Sequence, residues 1–517
     1  MELIHSFLSL CCTVVVVIYA WKIMNFVWFR PKKMEKILRQ QGFVGKPYRF
    51  LVGDLNEMKN MGNEALSKPI DFSDDFVPRI IPFIHKTVTN HGENCFIWLG
   101  PYPAVLIFDP DIVREVLSKT YVFQKPYNPL ANVLARGLAS YETDKWAKHR
   151  RLINPAFHLD KVKHMIPSFH KCCAEMLSKW EKIVPSEGCF ELDVWPYLQT
   201  MTSDAISLTA FGTSYEQGRK IFELQKEQAT LITKSNLFST FILAWRYLPT
   251  KTNRRMKRII TELESLLRAI IDQRTKAIEA GEATSNDLLD ILLESNSKEI
   301  KQNGHKFGMS LQDVIEECKL FYLAGQETTS SLLVWTMILL SKYLDWQARA
   351  REEVLHVFRS ETPNFQDLGR LKIVSMIINE VLRLYSPGLL FSRTVNKETA
   401  LGNIVLPKGA YLLLPAILLH HDVKLWGEDV KDFNPERFSG GVTEATGGKL
   451  SYFPFGWGPR ICIAQNFAML EAKTALAMIL RNYSFELSPS YSHAPRIALN
   501  LQPQHGAHLI LRKLSST

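Results

Sequence analysis

Cys462 is the residue whose setting points most directly to chemistry. It closes the run Phe453-Pro454-Phe455-Gly456-Trp457-Gly458-Pro459-Arg460-Ile461-Cys462-Ile463-Ala464, and an apolar helix is predicted from Asn466 to Asn482. A thiol placed there meets the unpaired N–H groups and the positive dipole end of that helix. Both favour the thiolate, the form that ligates metals. Gly456 and Gly458 permit a tight turn and the close approach of a flat ligand. Arg460, two residues before the sulfur, could pair with a carboxylate on that ligand. Taken alone, Cys462 reads more simply as a small buried apolar residue, as most free cysteines are.

Three further groupings carry polar residues where they are costly. Ala324-Gly325-Gln326-Glu327-Thr328-Thr329 lies inside an otherwise apolar helix predicted over Leu311–Tyr343. A threonine hydroxyl there can bond the carbonyl four residues back and bend the helix, and the plain alternative is a surface-facing polar stripe. Glu380 and Arg383 stand at i and i+3 on one helical face with apolar neighbours around them. Pro435-Glu436-Arg437-Phe438 follows some way on. Trp146 and Arg150 stand at i and i+4, a spacing that a half-buried surface helix also shows.

The elements that must position these residues are mostly helical. Apolar periodicity predicts helices over Lys161–Lys182, Asn253–Ala280, Leu311–Tyr343, Trp346–Phe358, Leu371–Tyr385 and Asn466–Asn482. Short β-like runs are Cys95–Leu99, Ala104–Phe108, Tyr411–Leu414 and His508–Leu511. Ala280–Gly308 is rich in glycine and asparagine, and part of it is expected to be a surface loop. The expectation is a mainly α protein with small β-sheets: an anchor over residues 1–29, a basic, proline-bracketed hinge over 30–55 between Pro31 and Pro47, and one large domain over 56–517.

Residues Leu3 to Phe29 are strongly apolar and, as a helix, would reach about 40 Å, enough to cross a bilayer of about 30 Å with some tilt. Glu2 near the start, and Trp21 directly after Ala20, do not suit a cleaved signal peptide. Arg30, Lys32, Lys33 and Lys36 follow at once, which places the rest of the chain on the cytosolic side. The 517 residues are 46% hydrophobic and 22% charged, which excludes a disordered chain and a multi-span transporter. The net charge of +10 suits an acidic protein partner or an anionic membrane. No long basic block is present, and no nucleic-acid partner is expected. The eight cysteines show no C-x-x-C pair, which fits a reducing compartment.

Phe455-x-x-Gly458-x-Arg460-x-Cys462 resembles the haem-ligand signature of the cytochrome P450 family of haem-thiolate monooxygenases. The remaining groupings resemble that family's other motifs in the same chain order: Trp146-x-x-x-Arg150, then Ala324-Gly325-x-Glu327-Thr328, then Glu380-x-x-Arg383 with Arg437. One position departs from the pattern, Ala464 standing where glycine is usual. Its extra methyl is expected to affect stability or haem fit. The resemblance implies the P450 fold behind one N-terminal transmembrane helix, with haem b held by Cys462 as axial ligand. It implies that Trp146, Arg150 and Arg393 reach the propionates, and that Arg460, Phe455, Ala324 and Gly325 line the cofactor. Glu327 and Thr328 would deliver protons for O2 cleavage, and Glu380, Arg383 and Arg437 would form a buried structural network.

No G-x-G-x-x-G fingerprint or flavin domain is present, so the electrons of NADPH are expected through a separate NADPH–cytochrome reductase, at the endoplasmic reticulum membrane. Lys148-His149-Arg150-Arg151, Asn154-Pro155-Ala156-Phe157-His158-Leu159, Glu317-Cys318-Lys319-Leu320-Phe321-Tyr322 and Gln465-Asn466-Phe467-Ala468 look like a plant subfamily that includes secologanin synthase, 7-deoxyloganic acid hydroxylase and triterpenoid oxidases, with some gibberellin-modifying relatives. The implied substrate is a plant terpenoid, triterpenoid or iridoid monoterpenoid. Its pocket is expected from Phe123–Ser140, Ser235–Leu248, Pro387–Arg393 and Ala498–His505, with Phe238, Phe241, Leu389, Leu390 and Phe391 giving an apolar cavity. Two other readings remain at this point: a haem-thiolate isomerase or dehydratase needing no reductase, against which the Glu327–Thr328 pair counts, and a non-catalytic membrane haem protein.

Overall fold

Burial of apolar helix faces accounts for most of the architecture. The computed structural model describes residues 2–128, 131–183, 188–212, 215–234, 249–281, 287–358 and 363–514. The protein is mainly helical with small sheets, and its backbone contacts divide it into two compact units.

The smaller unit comprises residues 1–68, 76–126 and 390–415. It opens with the helix Glu2–Met24, a π-helical turn Asn25–Phe29 and the helix Arg30–Gln40. The stretch Ile4–Gln40 contains a window long and apolar enough to cross a bilayer, and that window is wholly unburied. Residues 30–40 therefore continue as helix where Pro31 had suggested a bend. The reason is local: the Val27 carbonyl, four residues before Pro31, accepts the Tyr48 hydroxyl at 2.7 Å in place of the N–H that proline lacks. Met34 and Leu38 are buried, and Glu35 bridges Lys32 and Arg39 at 3.0 Å each. A five-stranded sheet follows in the order Phe96–Leu99, Tyr102–Leu106, Tyr411–Leu414, Phe391–Val395, Phe123–Gln124. Only the Tyr102–Leu106 and Tyr411–Leu414 pair is parallel.

The larger unit comprises residues 69–75, 127–389 and 416–517. Its axis is the helix Leu311–Lys342, started by a capping box in which Ser310 and Asp313 exchange bonds. The helices Trp195–Phe211, Lys251–Glu279, Lys372–Leu384 and Gln465–Asn482 pack against it. Trp195–Phe211 is buried on nearly every side, so it carries no apolar stripe and gave no periodic signal. The stretch expected to be partly loop holds a helix, Leu288–Asn303, capped by Asp287. Asn296, a loop signal by type, turns inward and bonds both backbone groups of Met309. The helix expected over Lys161–Lys182 is interrupted near its start; its regular part runs Ile166–Glu181, with Pro167 in the first turn.

Candidate active site

The cysteine turn is built by short-range backbone bonds. Gly456 N–H donates to Phe453 O (2.9 Å), Ile461 N–H to Gly458 O (3.0 Å) and Cys462 N–H to Phe455 O (2.8 Å). Gly456 and Gly458 have φ of 74° and 70°, a region that glycine enters without strain. Ala464 caps the helix Gln465–Asn482. The Cys462 sulfur lies deep in the protein yet keeps accessible surface. Burial pushes its thiol pKa up, while the Ala464 N–H and the charge of Arg150 pull it down. The helix head and Arg150 thus work against burial at this sulfur, and a bound metal ion would decide the balance, since coordination deprotonates a thiol outright.

Behind the turn stands the charged cluster. Glu380 and Arg383 are both fully buried and meet through two bonds, 2.8 and 2.7 Å. Arg383 also donates to the carbonyls of His420 (2.9 Å) and Val430 (2.7 Å), and Arg437 Nε lies 3.6 Å from Glu380. His420 carries the cluster forward: its Nε2 accepts the Phe453 N–H at 3.2 Å. Burial holds the His420 pKa down to about 3, so the ring is neutral and can accept. A continuous path of bonds thus runs from Glu380 to the first residue of the cysteine turn.

The helix Thr143–Ile153 supplies the third side. Arg150 Nη1 donates to Ile461 O at 2.8 Å, one residue before the cysteine. The Arg460 guanidinium lies 4.4 Å from the Trp146 ring centre, in cation–π range. Its Nη2 bonds Tyr141 O (2.9 Å) and pairs with Glu142 (2.8 Å). Its Nε and Nη1 are buried with no hydrogen-bond partner among the described residues. Buried donors without acceptors are rare and costly, and here they suit an anionic ligand.

On the central helix, Ala324 and Thr328 are exposed amid buried neighbours, one turn apart on one face. Thr328 Oγ1 donates to Ala324 O at 2.8 Å. Glu327 points elsewhere: it is buried, and its carboxylate accepts from Gln502 Nε2 at 2.9 Å. Burial raises its pKa, against Lys226 and Gln502.

The family model for cytochrome P450 matches residues 80–508. The chain is a cytochrome P450. It is 59% identical over 518 residues to cytochrome P450 CYP72A219 of Panax ginseng, covering 99% of this chain and 100% of that one. Cytochrome P450 72A397 of Kalopanax septemlobus is 57% identical over 96% of both chains. Secologanin synthase 1 of Catharanthus roseus is 50% identical, covering 100% of this chain and 99% of that one. This P450 is thus an oxidoreductase, a monooxygenase of the plant subfamily that includes secologanin synthase. Haem b is its cofactor, with electrons from an NADPH-dependent reductase. The residues present fit the group: an accessible sulfur at a helix head, and a buried guanidinium with two donors free for a carboxylate.

Not every residue expected at the cofactor of this P450 stands alike. Phe455 is half-buried within the turn and supplies the carbonyl that Cys462 N–H bonds. Gly325 faces the helix Trp195–Phe211: a Cβ there would lie 3.0 Å from the Ile206 side chain, which makes its small size a packing requirement. Arg393 belongs to the smaller unit, where it is buried on the strand Phe391–Val395 and bonds Ser392 O at 2.8 Å. Of the stretches expected at the pocket, Ser235–Leu248, with Phe238 and Phe241, lies outside the described residues. Leu389 belongs to the larger unit; Leu390 and Phe391 belong to the smaller. The 498–505 stretch reaches the site through Asn500 and Gln502, which bond Glu327 O and the Glu327 carboxylate. Those two amides and His420 had no signal in the sequence, because each acts across a long separation along the chain.

Proposed function

We propose that this P450 oxidises a plant terpenoid, a triterpenoid or an iridoid monoterpenoid, with O2 and electrons delivered from NADPH through NADPH–cytochrome reductase. The single observation carrying the site assignment is the cysteine turn, with its accessible sulfur and the two unengaged donors of Arg460 beside it. Support for the substrate class comes from a relative whose name says that it makes secologanin. The exposed apolar helix supports a single-pass anchor in the endoplasmic reticulum membrane, with residues 56–517 on the cytosolic side as the catalytic domain. Arg30, Lys32, Lys33 and Lys36 set that orientation.

Haem b, when bound, supplies the reductive splitting of O2 and the insertion of one of its atoms into a C–H bond. The residues divide the remaining work. Cys462 Sγ would hold the haem iron. Arg460, Trp146 and Arg150 would hold the propionates, with Phe455 and Ala324 lining the ring. Thr328, bonded to Ala324 O, keeps its oxygen lone pairs on the exposed face of the helix and orients a donor there. Burial raises the pKa of Glu327, against Lys226 and Gln502, and this carboxyl would hand on a proton for the reaction. Glu380, Arg383 and Arg437 fix the turn from behind.

The test is a microsomal assay with added reductase and NADPH, offering iridoids, triterpenes and gibberellins in parallel and reading products by mass. A gain of one oxygen on a terpenoid that depends on NADPH is expected. Product formed equally without NADPH or reductase would overturn the electron route, and oxidation confined to the gibberellins, or of none of the three classes, would overturn the substrate class.

A further inference from the structure

Two of the segments that resemble the plant subfamily, Lys148-His149-Arg150-Arg151 and Glu317-Cys318-Lys319-Leu320-Phe321-Tyr322, contribute only Arg150 to the scheme above. The fold joins them. Glu317 and His149 are both fully buried, and Glu317 Oε1 meets His149 Nδ1 at 2.7 Å. The second oxygen, Oε2, accepts the Leu138 N–H at 2.9 Å. Glu316 beside it does the same for the Arg136 N–H at 3.0 Å, and its other oxygen pairs with the buried Lys319 at 3.1 Å. Around His149, Asp313 stands 3.8 Å from Nε2, and the Tyr141 ring lies edge-on with its centre 4.7 Å away. Gly137 has φ of 43°, and a Cβ on it would lie 2.7 Å from Glu317 Oε2, so the backbone passes as close to the carboxylate as glycine allows.

What Glu317 holds is the edge of the active site. Residues 136–140 lead into Tyr141 and Glu142, both of which engage Arg460 of the cysteine turn. His149 lies beside Arg150, whose guanidinium bonds Ile461, and one turn beyond Trp146, which stacks on Arg460. One carboxylate on the central helix therefore fixes both segments that grip the cysteine turn. We propose that Glu317 is a positioning residue: through His149 and Leu138 N–H it sets Trp146, Arg150 and Arg460 for haem binding.

The inference rests on the reading of those three residues as the haem edge. Both contacts need a polar side chain at this position: one atom accepts the Leu138 N–H and the other meets His149 Nδ1. In Glu317→Leu both are lost, whereas Glu317→Gln can keep both, its oxygen on Leu138 N–H and its NH2 on His149 Nδ1 in the accepting tautomer. A bond of this kind is worth roughly tenfold or more in an equilibrium.

The experiment measures transfer of haem from the full-length protein to excess apomyoglobin, well below the unfolding temperature. The companion readout is the reduced carbon monoxide spectrum. Glu317→Leu is expected to release haem roughly tenfold faster while a fresh sample keeps the thiolate-type red-shifted Soret band. Glu317→Gln, which can keep both contacts, is expected to recover most of the loss. Ile259→Ala, a core truncation in the Lys251–Glu279 helix, controls for stability and should leave release unchanged. Release from Glu317→Leu equal to the parent, or raised equally in the control, overturns the proposal. Should Glu317→Leu fail to fold, Gly137→Ala crowds the same oxygen from the other side and must accelerate release; unchanged release there overturns the proposal equally. If the parent itself shows no thiolate-type band, the haem-edge reading falls first; if it does and Glu317→Leu behaves as the parent, only this inference falls.

Discussion

Two buried arginines in the larger unit are treated in opposite ways. Arg383 has all three guanidinium nitrogens engaged: two meet Glu380, and the fork also serves the carbonyls of His420, Val430 and Asp432. Arg460 is nearly as buried but engages one nitrogen only, leaving Nε and Nη1 without partners among the described residues. Saturation marks a scaffold, because every charge is already compensated and nothing further can bind. Unengaged donors mark a place kept for a ligand, since the cost of burying them falls only when an acceptor arrives. The two sites are connected through His420 and Phe453, so the rigid one aims the open one.

The comparison can be broken from either side. Replacing the ligand itself has the largest effect: Cys462→Ser is expected to abolish the thiolate-type Soret band in reduced, carbon monoxide-treated protein, and an unchanged spectrum would remove Cys462 from the iron. Next comes the saturated cluster. Arg383→Ala leaves the buried Glu380 with only Arg437, 3.6 Å away, as a cationic partner; the cost is about 3–5 kcal/mol, so little folded haem protein should be recovered in expression and haem assays. Arg460→Leu separates the two cases: removing a guanidinium whose donors are mostly unengaged should lower the melting temperature far less than Arg383→Ala, while haem transfer to apomyoglobin speeds by about tenfold. Equal melting shifts for the two variants would erase the distinction drawn here. Thr328→Ala should leave haem content and folding unchanged and raise peroxide release per product formed; unchanged coupling would take Thr328 out of proton delivery. Ala464→Gly is expected to act least, shifting stability by no more than about 1 kcal/mol, since it removes one methyl beside the helix head and adds backbone freedom.

Long elements with one polar face were legible in advance. The central helix ends within one residue of the expected Tyr343, and the Gln465–Asn482 and Lys372–Leu384 helices match closely, because each carries a local cap or an apolar stripe. Trp195–Phe211 was not legible, since burial all round leaves no stripe, and Leu288–Asn303 was obscured by Asn296, which faces inward. At the site, the cysteine turn could be read because its bonds close within ten residues. The partners of Glu327 could not: Gln502 lies 175 positions away. Gly325 shows the same limit at one residue. Its presence in a motif suggested the cofactor, and its missing side chain makes room for Ile206 on another helix.

What the sequence determined by itself is the set of local instructions: the apolar anchor, the glycine-bearing turn that presents a sulfur at a helix head, the acid–threonine step in an apolar helix, and the family to which these belong. Only the tertiary structure decided which charges are compensated and which are left open. That Arg383 is closed by three carbonyls besides its neighbour Glu380, that His420 carries the scaffold to Phe453, and that Glu317 reaches His149 all depend on segments meeting across 33 to 168 positions. The physical reason is that hydrogen-bond satisfaction is a property of the folded interior, where water is excluded and each buried group takes whatever partner the packing brings.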